Sequence, residues 1–199
     1  MGINTFQMNK LEDWIAIYDN AIPDEFCDEC ITLFEDSNTR KSEHTAYWRR
    51  CSEFSQIDSS NLWNQLRSLI KNTYDKYRNE HNCGVLNSAN MIEAPNVYRY
   101  DVDADKPNIF NTHSDNWNFP TATRQLSVII YLNDVAEGGE TNFVDLNIQV
   151  APKKGRILLF PSFFNYMHKG EAPVSNSKYI IVSWIHFDGN GHAYRVHSL

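Results

Sequence analysis

Residues 125–133 read QLSVIIYLN, a run dense in aliphatic, β-branched and aromatic side chains that is typical of a buried β-strand. Residues 179–187, YIIVSWIHF, have the same character. Residues 92–100 and the shorter runs at 147–151, 156–160 and 193–196 predict further strands. Many short strands in the C-terminal part of a chain favour a sandwich or a barrel.

Outward from these strands, the N-terminal part reads as a mixture of strands and helices, with a strand pair or a loop at 46–56. Residues 14–18 alternate and predict a short strand, and Pro23 then opens a helix over 24–36. The N-cap cluster at 58–60 precedes an amphipathic helix over about 60–79, whose buried face carries Leu62, Leu66, Leu69 and Ile70. We therefore expect a mainly β protein of the α+β class, with the helices packed on one face.

Composition restricts the function classes. The chain has 199 residues and a formal net charge of -7, which argues against nucleic acid as a partner. Neither a membrane span nor a secretory signal is expected. The Cys27-x-x-Cys30 pair suits zinc or redox chemistry, but its place on a predicted helix favours buried thiols. We expect a cytoplasmic protein, bacterial or, if virus-encoded, in the host cytoplasm.

The sharpest chemical signal is His113-Ser114-Asp115, in a segment, 101–122, that we expect to be a polar loop. A second histidine, His168, follows 55 residues later. Two histidines and one carboxylate on one face form the facial triad of non-haem Fe(II) oxygenases, which leaves further positions on the metal open. The alternative for the His-x-Asp motif alone is a solvated polar loop.

Lys178 is the second signal, because it enters an apolar strand. A lysine in that place needs an anion nearby, since an unpaired buried charge is costly. The distal carboxylate of 2-oxoglutarate would be such a partner. The alternative is a strand-end lysine whose ammonium reaches water.

An ordered series of motifs covers residues 91–187. It comprises Val97-Tyr98-Arg99-Tyr100, His113-Ser114-Asp115, Arg124-Gln125-Leu126-Ser127, Tyr131-Leu132-Asn133, Glu137-Gly138-Gly139-Glu140-Thr141, Val150-Ala151-Pro152 and His168-Lys169-Gly170, and it ends with Lys178 to Trp184. In order and spacing, the series resembles the catalytic core of the prolyl 4-hydroxylases in the Fe(II)/2-oxoglutarate oxygenase superfamily. Ser127 stands where threonine is common.

The resemblance implies a double-stranded β-helix, or jelly roll, in a single domain over 1–199 with its catalytic core at about 91–187. It also implies roles for individual residues. The implied iron ligands are His113, Asp115 and His168; the implied 2-oxoglutarate residues are Lys178, Tyr131, Thr141 and Tyr100; and the implied substrate neighbours are Arg124 and Trp184. The alternatives are that Tyr100, Tyr131 and Trp184 are ordinary core aromatic residues, that Thr141 caps a turn and that Arg124 forms a structural ion pair.

The implied activity is hydroxylation of a prolyl residue in a peptide or protein, with Fe(II), 2-oxoglutarate and O2, and with ascorbate as a possible reductant. The same chemistry on a free amino acid, a small metabolite or a nucleobase is an alternative, and so is a non-catalytic binding module. The stretch between Tyr100 and His113 is longer than the family pattern. Its aspartates, Asp101, Asp103 and Asp105, favour a cationic substrate or simply a solvated loop.

Overall fold

A computed structural model describes residues 10–36, 42–46, 49–54, 61–103, 105–187 and 196–199. The predicted N-cap cluster at 58–60 and residues 193–195 of the last predicted strand lie outside the described residues. Within the described ranges, no helix is both long and apolar enough to cross a membrane.

Two helices lie in the N-terminal part of the chain. Helix α1 spans Asp24–Asp36, as predicted, and buries Phe26, Cys27, Cys30 and Phe34. Helix α2 spans Asn61–His81, slightly longer than predicted, and ends where Asn82 adopts a left-handed backbone with φ 44°. Burial raises the pKa of the Cys27 thiol to about 11, in agreement with the interpretation of this pair as buried thiols.

The strands are numbered in chain order. They are β1 (Ala16–Tyr18), β2 (Ser42–Ala46), β3 (Arg49–Phe54), β4 (Met91–Glu93), β5 (Asn96–Tyr100), β6 (Phe110–His113), β7 (Arg124–Tyr131), β8 (Thr141–Phe143), β9 (Ile148–Val150), β10 (Ile157–Pro161), β11 (His168–Gly170), β12 (Lys178–His186) and β13 (Val196–Ser198). All pairings among them are antiparallel, in the order β1-β10-β7-β12-β5-β3-β6-β11-β8-β9, with β2 on β3 and β4 joining β12 to β13.

Strand β7 is buried along its whole length because both of its faces are covered. Val128 and Ile130 pack in one cluster with the two helices, whereas Ile129 and Tyr131 pack in a second cluster with side chains such as Phe143 and Phe160. This two-sided burial explains why the sequence of β7 is continuously apolar rather than alternating. The expected jelly roll with helices on one face is confirmed.

The prediction that residues 101–122 form only a loop is wrong at Phe110–His113, which is strand β6. The single strand predicted at 92–100 is also divided, with Ala94 and Pro95 between β4 and β5. Pro95 has no backbone N–H to donate to a ladder. Strands β8 and β11 were not predicted, because their three residues each, TNF and HKG, are of mixed polarity and show no hydrophobic period.

Gly155, in the turn before β10, offers a test of the packing between the N-terminal segment and the sheet. Its φ is +74°, a Cβ there would lie 2.5 Å from the carbonyl oxygen of Ile22, and its own carbonyl accepts from the Ala21 and Ile22 amides. Gly155→Ala should lower the free energy of unfolding by about 1–3 kcal/mol. Gly84→Ala, at a position with open space around it, is the control and should change it by about 0.5 kcal/mol or less. Equal urea midpoints for the two variants would contradict the prediction.

Candidate active site

The two predicted metal-binding histidines face each other across paired strands. His113 ends β6, His168 begins β11, and the two residues are register partners in the antiparallel pairing. Their ring centroids are 4.3 Å apart. Asp115 follows β6 by two residues, and one ligand atom from each of the three side chains lies within 4.8 Å of the others.

Backbone carbonyls orient both imidazole rings. His113 Nδ1 lies 2.7 Å from the Asn111 carbonyl oxygen, and His168 Nδ1 lies 3.1 Å from that of Tyr166. Because a carbonyl only accepts, each Nδ1 carries the proton and each Nε2 keeps its lone pair for a ligand. Nε2 of His113 is 3.4 Å from Asp115 Oδ1, and Nε2 of His168 is 3.8 Å from Oδ2.

Electrostatics favour the protonation states that a divalent cation requires. Burial by itself would raise the pKa of Asp115, but His168, His113 and a hydrogen bond from Ser127 together lower it well below the usual range. Burial, and then the proximity of His113, lower the pKa of His168 to about 4. Two imidazole nitrogens and one anionic oxygen fit Fe(II), whose oxygenase sites use this donor set.

The three side chains line a pocket whose other walls are mostly apolar. Lys178 is 2% exposed and lines the same pocket. Its ammonium donates to the Gly139 carbonyl at 3.0 Å and lies 4.5 Å from the ring centroid of Tyr100. A methyl group built on Gly170 would lie 3.7 Å from Lys178 Nζ, so the ammonium is next to β11, two residues beyond His168.

The remaining predicted site residues lie close to this pocket. Tyr100, Thr141 and Trp184 are on its wall. Tyr131 is fully buried, and its hydroxyl is 2.7 Å from that of Thr141. Thr141 is the register partner of Gly170, and Gly170 lies next to the Lys178 ammonium. The two hydroxyls therefore lie at the Lys178 end of the site.

Arg124 lies against Trp184 and is part of a buried ion pair. Its guanidinium carbon is 3.5 Å from the Trp184 ring centroid, and Nη2 donates to Glu93 Oε1 at 2.8 Å. Nη1 also donates to the backbone carbonyl of Asp115 at 3.3 Å. His186 Nε2 lies 3.0 Å from Glu93 Oε2, so one carboxylate joins two partners behind the pocket.

No site role was predicted for Glu93, for Ser127 or for two aromatic residues of the wall, although Ser127 and Tyr98 belong to the quoted motifs. Phe110 stacks on the His113 ring with 3.8 Å between centroids, and Tyr98 lines the pocket beside Tyr100. The position of Tyr98 could have been predicted from that of Tyr100, because residues two apart on a strand lie on the same face. The sequence offered no comparable signal for Glu93.

Two aspartates of the segment before β6 have structural partners. Asp101 is 3.0 Å from Arg99 Nε and accepts from Ser177 Oγ at 2.9 Å. Asp103 accepts from the backbone amides of Asp105 and Lys106 at 3.0 and 2.9 Å and so shapes a turn. These contacts account for Asp101 and Asp103 without a cationic substrate.

Comparisons with known proteins agree with this geometry. Residues 95–186, slightly under half of the chain, match the family model described as the 2OG-Fe(II) oxygenase superfamily. A search of curated proteins found no significant match.

Solved structures share the fold at low sequence identity. A viral collagen prolyl hydroxylase of Paramecium bursaria Chlorella virus-1, solved with 2-oxoglutarate, has a TM-score of 0.68 and 19% identity over 88% of this chain and 97% of that chain. A Pseudomonas putida prolyl-4-hydroxylase has a TM-score of 0.68 and 16% identity over 88% and 94%. A Trichoplax adhaerens prolyl hydroxylase, in complex with a hypoxia-inducible-factor peptide, has a TM-score of 0.67 and 18% identity over 87% and 84%.

Residues 95–186 resemble a 2OG-Fe(II) oxygenase core both in their match to the family model and in the clustered His, Asp and His side chains that they carry. The chain is a 2-oxoglutarate-dependent dioxygenase that resembles the prolyl 4-hydroxylases, and its cofactors are Fe(II), 2-oxoglutarate and O2.

The ion pair behind the pocket generates a stability prediction. Glu93→Ala leaves the buried guanidinium of Arg124 without its carboxylate and should lower the free energy of unfolding by about 3–5 kcal/mol. Asp75→Ala, which breaks an exposed pair with Lys71, is the control and should cost about 0.5 kcal/mol or less. Urea unfolding followed by circular dichroism measures both. A Glu93→Ala midpoint equal to that of the control would show that the buried pair contributes no more than a surface pair.

Proposed function

We propose that His113, Asp115 and His168 bind the catalytic Fe(II) and that the enzyme hydroxylates a prolyl residue in a peptide or protein. The observation that carries the proposal is the convergence of these three side chains in one pocket with the buried Lys178. Three side-chain ligands would leave further positions on the metal open for co-substrate and O2.

The chain's own residues hold and orient the reactants. When bound, iron and 2-oxoglutarate supply the chemistry that activates O2, places one oxygen atom in a C–H bond and leaves succinate and CO2. In our proposal, Lys178 binds the distal carboxylate of 2-oxoglutarate, and the hydroxyls of Tyr131 and Thr141 lie at that end of the pocket. Tyr100 forms the adjacent wall beside the ammonium. Trp184, held by Arg124, forms the wall nearest the substrate in this proposal.

Exposed aromatic residues next to the metal-binding segment support a peptide substrate. Trp117 is 72% exposed, Phe119 94% and Phe164 79%. They lie on loops 116–123 and 162–167, which contain no charged residue and are joined by a hydrogen bond from the Asn116 amide to the Ser162 carbonyl. Uncharged aromatic surfaces of this kind bind extended proline-rich segments, whose conformation is already restricted.

The loop that carries Trp117 and Phe119 is held in shape by its own hydrogen bonds. Thr121 Oγ1 accepts from the amides of Trp117 and Asn118, and Asn118 Oδ1 accepts from the Thr121 amide. A loop fixed in this way loses little entropy when a ligand binds. This supports a peptide over a free amino acid, a small metabolite or a nucleobase.

The proposal extends to domain organisation and location. We infer that residues 1–199 act as one domain with its catalytic core at about 91–187, since α1 and α2 share a hydrophobic cluster with β7. Cys27, Cys30 and Cys83 are free thiols, which supports a reducing compartment such as the cytoplasm.

Asp115→Ala should abolish consumption of 2-oxoglutarate, because it removes the anionic ligand. The assay measures succinate release with added Fe(II), 2-oxoglutarate, ascorbate and proline-containing peptides, and a mass gain of one oxygen identifies the product. Asp105→Ala, an exposed acid close by in sequence, is the control and should keep full activity. Full turnover by Asp115→Ala would overturn the ligand assignment, and oxygen gain only on free amino acids would overturn the peptide substrate.

Trp117→Ala combined with Phe164→Ala should raise KM for a long proline-rich peptide about tenfold, the effect expected for losing about 1.4 kcal/mol of contact. KM for a three-residue prolyl substrate and kcat should not change, because neither side chain lines the pocket. Ile17→Ala, on the exposed edge strand β1, is the control. A tenfold rise with the short substrate as well would show that the aromatic loops do not act as a separate docking surface.

A further inference from the structure

We infer that Ser127 is a positioning residue that fixes the orientation of the Asp115 carboxylate toward the metal. This inference rests on the proposed function, because it takes Asp115 as a metal ligand. Ser127 lies on β7, is 0% exposed, and donates its hydroxyl to Asp115 Oδ2 at 2.5 Å.

Asp115 needs a partner of this kind because its own backbone does not lie in a strand. Strand β6 ends at His113, and Asp115 is in the bend that follows. The Arg124 guanidinium holds the carbonyl of Asp115, and the amide of the next residue, Asn116, donates to Ser162. These bonds fix the path of the chain, whereas the bond from Ser127 fixes the rotation of the carboxylate.

A second buried hydroxyl holds Ser127 itself. Ser162 follows β10, is 1% exposed, and its Oγ lies 2.9 Å from that of Ser127. Strands β7 and β10 are paired antiparallel with Leu126 opposite Pro161, and the two serines lie one residue to either side of this register pair. Two buried hydroxyls are stable only when they are hydrogen-bonded, and the chain they form ends on Asp115.

The bond has a consequence for how the carboxylate can bind an ion. With Oδ2 engaged by Ser127, the carboxylate resists the rotation that would give both oxygens to the metal. Ligation through one oxygen would leave more positions on the metal open for the co-substrate. Partners that orient a ligand in this way typically contribute 10–100-fold to metal affinity.

Titration of the metal-free protein with Co²⁺, followed by the visible absorption of the bound ion, tests the inference without turnover. Ser127→Ala should bind Co²⁺ about 10–100-fold more weakly than wild type. Ser127→Thr keeps the hydroxyl and should restore affinity to within about threefold of wild type, a difference of about 0.65 kcal/mol.

The matched control is Ser183→Ala. Ser183 is also a serine that is 0% exposed, on β12, and its hydroxyl donates to the Glu93 carbonyl at 2.6 Å. Ser183→Ala should lose about as much thermal stability as Ser127→Ala does, and it should keep wild-type affinity for Co²⁺. A matching loss of affinity in Ser183→Ala would reduce the effect of Ser127 to general destabilisation.

The same titration separates failure of the inference from failure of the proposed function. Wild-type affinity in Asp115→Ala would show that Asp115 is not a ligand. Wild-type affinity in Ser127→Ala, together with loss of binding in Asp115→Ala, would keep the metal site and overturn the positioning role. Equal losses in Ser127→Ala and Ser127→Thr would also overturn it, because the hydroxyl would then not matter.

Discussion

The antiparallel register between β6 and β11 is the constraint on which the rest of the site depends. It sets His113 opposite His168, so that two imidazoles separated by 55 residues of sequence share one small volume. Both strands are short, and a slip of one residue would turn a histidine to the other face. The pairing of β11 with β8 on its other edge, through Gly170 and Thr141, helps to hold this register.

The long strands β7 and β12 provide the rigid support for these short ones. Even-numbered residues of β7, Val128 and Ile130, pack toward the helices, while Ile129 and Tyr131 pack toward the interior of the jelly roll. Strand β12 adds Lys178 at its beginning and Trp184 near its end. Residues that serve chemistry and residues that stabilise the fold therefore alternate along the same strands.

The sequence allowed prediction of those parts of the molecule whose residue types determine their structure locally. Helix α1 and strands β7 and β12 follow from apolar patterns, and the His-x-Asp motif pointed to side chains that do lie together. The short strands β6, β8 and β11 read FNTH, TNF and HKG, and so few residues of such mixed polarity show no period. The partnership of Arg124 with Glu93 joins residues 31 positions apart, and only the folded sheet brings them into contact.

The inner face of β7 also sets a length. Ser127 contacts the carboxylate at one end of the pocket, and Tyr131 contacts Thr141 at the other, with Ile129 between them. Side chains on one face of a strand repeat at roughly 6.6 Å, so these two hydroxyls are anchored roughly 13 Å apart along the backbone. The spacing along one strand thus fixes how far the Asp115 end of the pocket lies from the Thr141 end, so that loops elsewhere in the chain can change in sequence without altering this distance.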